Sequence, residues 1–280
     1  MSRILDLAHT VTTDATTELA TEPGSAEVAI TVLVIAAAVF AAGIVLTHRA
    51  RLAAALRAGG LALALAVLAV QVHDADWLTG RDGAVASWFA THRTPTLDSV
   101  AIAVTNLGSP AATVALAVVV AALLAWRARS PIPAVVLIGT VGAASVSCQV
   151  LKMLIGRDRP SATLQRIVET DHSFPSGHVT GTATLLAMIV VIAMAGRSRQ
   201  VRAVWAVVTA LVVMLVAATR LYLGVHWLTD VVGGALVAAF FATLGSAVLR
   251  ELTERSGSRT RVAQDVTAAA VPAHQTGTPL

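Results

Sequence analysis

Apolar positions in this chain fall into long uninterrupted runs, close to the ~20 residues that carry a helix across a bilayer, with polar residues gathered between them. Seven runs stand out, at residues 27–47, 58–73, 110–127, 132–153, 177–195, 203–219 and 230–249. The pattern predicts an all-α, polytopic transmembrane bundle of six to seven spanning helices. The second run is short, and its length leaves open whether it crosses the membrane fully. From 82 to 107 apolar and polar residues are mixed, with Trp88, Phe89 and Pro95 among them. Short helices lying in the outer interface are expected there, anchored by Trp77 and Trp88; a plain loop is the other reading. The ends of the chain are polar and rich in Thr, Ala or Ser. The expected organisation is a polar segment over 1–25, one membrane domain over 26–250 and a disordered cytoplasmic tail over 251–280. No internal repeat is visible, which argues against a transporter built from inverted halves.

Composition sharpens this picture. Of 280 residues 56% are hydrophobic and 13% charged, and the mean hydropathy is +0.76, which excludes an ordinary soluble domain. The single cysteine, Cys148, lies inside an apolar run and reads as a packing residue; no intrachain disulfide and no Cys-based metal site can form. A pI near 10.5 could suggest a nucleic-acid partner, but the basic residues lie in short clusters beside apolar runs without an aromatic platform. No nucleic acid is expected. Arg49, Arg51 and Arg57 follow the first run, Arg127 and Arg129 the third, Arg197, Arg199 and Arg202 the fifth, and Arg250, Arg255, Arg259 and Arg261 the seventh. All four clusters fall on one side, which the positive-inside rule makes cytoplasmic. The N-terminus is then outside, the C-terminus inside, and segments 74–109, 154–176 and 220–229 share the outer face. Residues 1–21 hold no compact apolar core, so the first span is expected to direct insertion itself.

Three polar clusters lie on that face, where charges near spanning helices usually do work. In the first, an apolar helix ends in Lys152, Arg157, Asp158, Arg159 and Pro160, with Gly156 weakening it. Lys152 and Arg159 are seven apart, close to two helical turns, so both can project to one side as an anion site; alone, they read equally as snorkelling anchors. The second, Ser173 to His178, opens the run from Val179. Pro175 and Ser176 suit first-turn and capping roles, Gly177 leaves room for a ligand, and a helix N-terminus cradles anions. His178 at its mouth can protonate a leaving oxygen, although a mere capping segment that contains a histidine also fits. The third joins the last two runs and holds Thr219, Arg220, Tyr222, Gly224, His226, Trp227 and Asp230. On a helix His226 and Asp230 share a face, so the carboxylate can fix the imidazole tautomer and free the other nitrogen to attack. Gly224 allows a turn that brings Arg220 near. An interfacial His, Trp and Asp belt is the bland alternative. Jointly, three cations, a helix N-terminus, a nucleophile with its orienter and a second histidine are the parts of metal-free phosphoryl transfer.

These motifs resemble the type 2 phosphatidic acid phosphatase superfamily. Lys152, Arg159 and Pro160 match its first motif, Pro175 to His178 its second, and Arg220, His226 and Asp230 its third, with Thr219 where serine is usual. The resemblance implies an integral membrane phosphatase that hydrolyses a lipid-linked phosphate monoester or pyrophosphate through a phosphohistidine, with no cofactor. It implies His226 as nucleophile, Asp230 as its partner, His178 as general acid, and Lys152, Arg159, Ser176, Gly177 and Arg220 as phosphate contacts. The first span is additional to the six usual in the membrane branch. A vanadate-dependent haloperoxidase, a lipid-headgroup binding or transport protein, and a metal hydrolase using Asp158, Asp171 and His172 are the competing readings. The absence of a large soluble domain argues against the first, the intact His226 and Asp230 pair against the second, and the surrounding cations against the third. The partners expected are a lipid phosphate and the bilayer. Neither the lipid nor the oligomeric state is legible.

Overall fold

The computed structural model describes residues 25–269; the segment before 25, the end of the tail after 269, and the side chains of Arg259 and Arg261 lie outside the described residues. Helices α1 (Ser25–Val45) and α2 (Ala50–His73) form an antiparallel pair. They approach closely at two glycines: a Cβ on Gly60 would lie 2.6 Å from the Ala36 carbonyl oxygen, and one on Gly43 2.7 Å from that of Ala53. The second span is therefore full length. The sequence shortened it because Arg51 and Arg57 interrupt the apolar run. In the fold Arg51 forks onto Glu251 at 2.8 Å and Arg57 donates to the Ala53 carbonyl.

A 3-10 turn (Trp77–Arg81) leads into two short helices, α3 (Asp82–Thr91) and α4 (Pro95–Leu107), as the mixed pattern predicts. Thr94 caps α4 and Ser109 caps α5 (Pro110–Ala128), each with proline in the first turn. Helix α6 (Ile132–Ile155) follows, then a connection over 156–176, α7 (Gly177–Ala193), α8 (Arg199–Tyr222) and α9 (Leu228–Ala269). Among the described residues six helices are long and apolar enough to cross a membrane; α7, with 17 residues, is shorter. Helix α9 continues beyond residue 250, the boundary set from sequence, to Ala269.

Helix α7 is central and packs against α5, α6, α8 and α9, while α9 packs against α2, α6 and α7. One apolar core joins Val136, Leu137 and Val141 of α6 to Leu185 and Met188 of α7. Near the opposite end Val179, Leu221 and Val231 hold α7, α8 and α9 together. Thr180, Thr182 and Thr184 are buried along α7 and donate to the carbonyls of Gly234, Gly108 and Thr180. A polar helix centre is thus tolerated because every hydroxyl finds backbone. The ends of α6 and α8 and the starts of α7 and α9 meet in one layer, which is where the three polar clusters converge.

Candidate active site

Helix α6 stops at Gly156, whose φ of +64° is the left-handed conformation that glycine adopts without strain. Lys152, 3% exposed, therefore sits one turn before a break. Arg159 is not on the same helix, contrary to the two-turn reading. The chain leaves α6 and turns back, and the two cations still meet, because both clasp Asp171: Lys152 Nζ at 3.1 Å and Arg159 Nη2 at 2.5 Å. Lys152 also donates to the His172 carbonyl. Burial alone would raise the Asp171 carboxyl, but the two cations hold it down at about 2.

The connection is pinned to the segment ahead of α7, since Ser173 donates from its amide to the Arg157 carbonyl and from its hydroxyl to that of Asp158. Ser176 occupies the N-cap of α7, but its side chain makes no cap bond, contrary to the capping role expected, and Pro175 precedes the cap instead of opening the helix. The Ser176 amide instead donates to the Asp230 carbonyl at 3.0 Å, tying α7 to α9. Its Oγ is buried without a hydrogen-bond partner. Gly177 follows, and His178, half-buried, stands within electrostatic reach of Arg220, His226, Arg159 and Lys152.

Helix α8 delivers Arg220, 1% exposed, at its last turn. Its guanidinium donates to Thr105 Oγ1 at 2.9 Å and pairs with Glu169 at 2.5 Å, leaving Nε buried and unpartnered. The turn at Gly224 has φ +69°, and a Cβ there would collide with the Leu164 carbonyl. This turn returns the chain so that His226 faces Arg159, whose Nη1 lies 3.4 Å from His226 Nε2. His226 is not itself helical. It lies in the turn before α9, and the pair with Asp230 forms for a different reason. Asp230, in the first turn of α9, turns back so that one carboxylate oxygen accepts from the Trp227 amide at 2.8 Å and meets His226 Nδ1 at 3.2 Å. A carboxylate that caps a helix amide has a fixed rotamer, so the imidazole inherits a fixed orientation. Burial pushes His226 down to about 4, with Asp230 opposing the shift and Arg220 and Arg159 adding to it, so the ring is neutral near pH 7.

The structure thus brings Lys152, Arg159, Ser176, His178, Arg220, His226 and Asp230 together. Three residues were missed. Glu169 holds Arg220 as Asp171 holds the other two cations; it and Asp171 are the only acids between residues 161 and 176, which is the signal that was available. Arg157 was seen as one of several cations, yet it serves the carboxylate that holds His226: Nη1 donates to the second Asp230 oxygen at 2.6 Å, and Nη2 to Asp82 at 2.6 Å. Asp82, the first residue of α3, is 4% exposed. Thr219, the departure from the family pattern, points its hydroxyl at the Val216 carbonyl at 2.6 Å. Cys148 is a packing residue, its thiol 3.6 Å from the Pro175 carbonyl.

The layer can bind a phosphate dianion between cations and two unpartnered donors, Ser176 Oγ and Arg220 Nε, beside an imidazole whose other nitrogen is already held. Comparison with known proteins agrees with that chemistry. The sequence profile of the PAP2 superfamily matches residues 133–254. Phosphatidylglycerophosphatase B of Bacillus subtilis (strain 168) is 29% identical over 171 residues, which cover 60% of this chain and 82% of that protein. Among solved structures, the crystal structure of the first transmembrane PAP2 type phosphatidylglycerolphosphate phosphatase from Bacillus subtilis superposes with a TM-score of 0.63 at 25% identity, covering 71% of this chain and 96% of that one. Residues 133–254, which hold all three polar clusters, match the PAP2 superfamily, and the chain is a membrane lipid phosphate phosphatase similar to the members of that superfamily.

Proposed function

We propose that this lipid phosphate phosphatase works through a phosphohistidine on His226, with phosphatidylglycerol phosphate as its first candidate substrate. The observation that carries the mechanism is the pairing of His226 with Asp230 through Nδ1 while Nε2 faces Arg159. Lys152, Arg159 and Arg220 neutralise the phosphate dianion, exchanging their pairs with Asp171 and Glu169 for it; Ser176 Oγ and the amides at the start of α7 complete the cradle. His226 Nε2 attacks phosphorus, the bond from phosphorus to the lipid oxygen breaks, and His178 supplies the proton to that oxygen. Water then attacks the phosphohistidine, His178 takes its proton, and inorganic phosphate leaves with both histidines restored. The groups that converge are donors and cations, the complement of a phosphate. The candidate substrate comes from the names of the Bacillus proteins. The arginines beyond the far ends of α1, α5, α7 and α9 support an active site on the outer face, with the N-terminus outside and the C-terminus cytoplasmic.

The test is phosphate release from phosphatidylglycerol phosphate, phosphatidic acid and a polyprenyl pyrophosphate by detergent-purified protein with chelator present, together with acid-quench trapping of labelled enzyme. Wild type is expected to release phosphate and trap label, and His226→Ala to do neither. Release without a trappable phosphoenzyme, or undiminished release by His226→Ala, would overturn the mechanism.

A further inference from the structure

The charge partners of the nucleophile do not end at Asp230. Asp82 lies far from the three motifs in sequence, on an interfacial helix, yet it is as buried as they are. It accepts from the Thr229 amide at 3.0 Å, from Thr229 Oγ1 at 2.6 Å and from Arg157 Nη2 at 2.6 Å. Arg157 in turn spends its other terminal nitrogen on Asp230 Oδ1 at 2.6 Å and Thr229 Oγ1 at 2.7 Å. The Asp230 oxygen left over is the one that meets His226 Nδ1. Two carboxylates therefore flank one guanidinium, and the row ends on the imidazole.

We propose that Asp82 is a positioning residue for the nucleophile, acting on His226 through Arg157 and Asp230. The inference rests on the reading of His226 as the nucleophile. Were Arg157 paired with Asp230 alone, the guanidinium would cancel the charge that has to orient the imidazole and stabilise it when it becomes cationic on phosphorylation. Shared with Asp82, the guanidinium leaves the three-residue group with a net negative charge. Asp82 also fixes the Thr229 amide in the first turn of α9, so the same contact sets both the charge and the position of Asp230. The charged and titratable groups around the His226 ring are Asp230 from α9, Arg159 from the connection, Arg220 from α8 and His178 from α7. Asp82 reaches the ring only through the first of these.

Asp82→Asn keeps the shape and removes the charge. The expected result is a fall in kcat of about tenfold with KM little changed, and an acid limb of the kcat/KM profile displaced to lower pH, because the imidazolium loses part of its stabilisation. A residue that merely holds α3 in place would lower the amount of folded protein without moving that limb. Asp82→Glu is expected to restore the limb in part. The second arm is a double-mutant cycle: in an Arg157→Met background Asp82→Asn should have little further effect, since its route to His226 is already cut. An unmoved acid limb in folded Asp82→Asn, or multiplicative losses in the cycle, overturns the proposal. If wild type still traps label under those outcomes, the phosphohistidine reading stands and only the role of Asp82 falls; if nothing is trapped from wild type, the reading beneath it has failed first.

Discussion

Beside the site, the contact between α7 and α9 is set by Gly234, and adding a single carbon there is expected to uncouple the two histidines. A Cβ on Gly234 would lie 2.7 Å from the Ser176 carbonyl oxygen and 3.2 Å from Thr180 Oγ1 and Val179 Cβ, roughly 0.7 Å inside the 3.4 Å at which ordinary contact begins. The obstacle is backbone, so it cannot swing aside. The Ser176 carbonyl accepts the first hydrogen bond of α7, from Thr180, and the Ser176 amide donates to Asp230. The start of α7, with Ser176, Gly177 and His178, must therefore shift relative to His226 and Asp230. Overpacking of this size costs about 1–3 kcal/mol of stability. A displacement approaching 1 Å between reacting groups reduces turnover by roughly 10–100-fold. The assay is lipid phosphate hydrolysis by Gly234→Ala, paired with thermal unfolding in the same detergent. Gly59→Ala is the control, because a Cβ there meets nothing within 4 Å, and it is expected to leave turnover alone and to add up to ~1 kcal/mol from helix propensity. Turnover of Gly234→Ala within threefold of wild type, with unchanged unfolding, would refute the argument that this approach sets the register of the site.

Three further outcomes are expected. Because His226 is held down at about 4 in the fold against an ordinary 6.5, the unfolded chain binds the extra proton between those values. Stability should fall as pH drops from 6.5 towards 4 and be insensitive to this group above 6.5. The acid limb of kcat/KM should lie near pH 4 to 5, and a limb at 6 to 7 would contradict the buried, neutral ring. Thr219→Ser should leave kcat/KM within about threefold, since the hydroxyl serves the Val216 carbonyl and only a methyl is lost, at about 1 kcal/mol of stability; a tenfold loss would show that the side chain meets substrate. Deleting residues 257–280 should leave phosphate release unchanged, because the ion pair that joins α9 to α2, Glu251 with Arg51, lies before the cut; loss of turnover in folded, truncated protein would assign the tail a role.

Much of the site was legible because its members sit at fixed spacings within three short segments. The reasons behind those spacings were not. Lys152 and Arg159 converge because the chain breaks at Gly156 and doubles back on Asp171, not because they share a helix face. His226 and Asp230 pair because a helix cap reaches backward, although the helical spacing suggested the same contact. Asp82 carried no sequence signal at all: it stands beside Asp74 and Asp76 in a polar stretch, and only the packing of α3 on α9 separates it from them. Arg157 was similarly lost among its neighbours Arg159 and Lys152, since charge alone does not say which cation faces substrate and which faces a carboxylate. Spans before α9 were read to within a few residues wherever the apolar run was uninterrupted; the start of α2 was missed where Arg51 and Arg57 interrupt it, and α9 runs on well past residue 249.

Helix α7 is the short member of the bundle. Its 17 residues extend about 25 Å, against about 36 Å for the 24 residues each of α6 and α8. Its start is held in the layer of the site by the Ser176 amide on the Asp230 carbonyl, so the missing length, about two turns, falls at its other end, where the chain turns through Gly196 at a φ of +78°. A bilayer meets such a shortfall by thinning locally or by letting flanking arginines reach for the surface, and Arg197, Arg199 and Arg202 stand there to do so. The mismatch is thus absorbed on the face away from the histidines, and the site keeps its level.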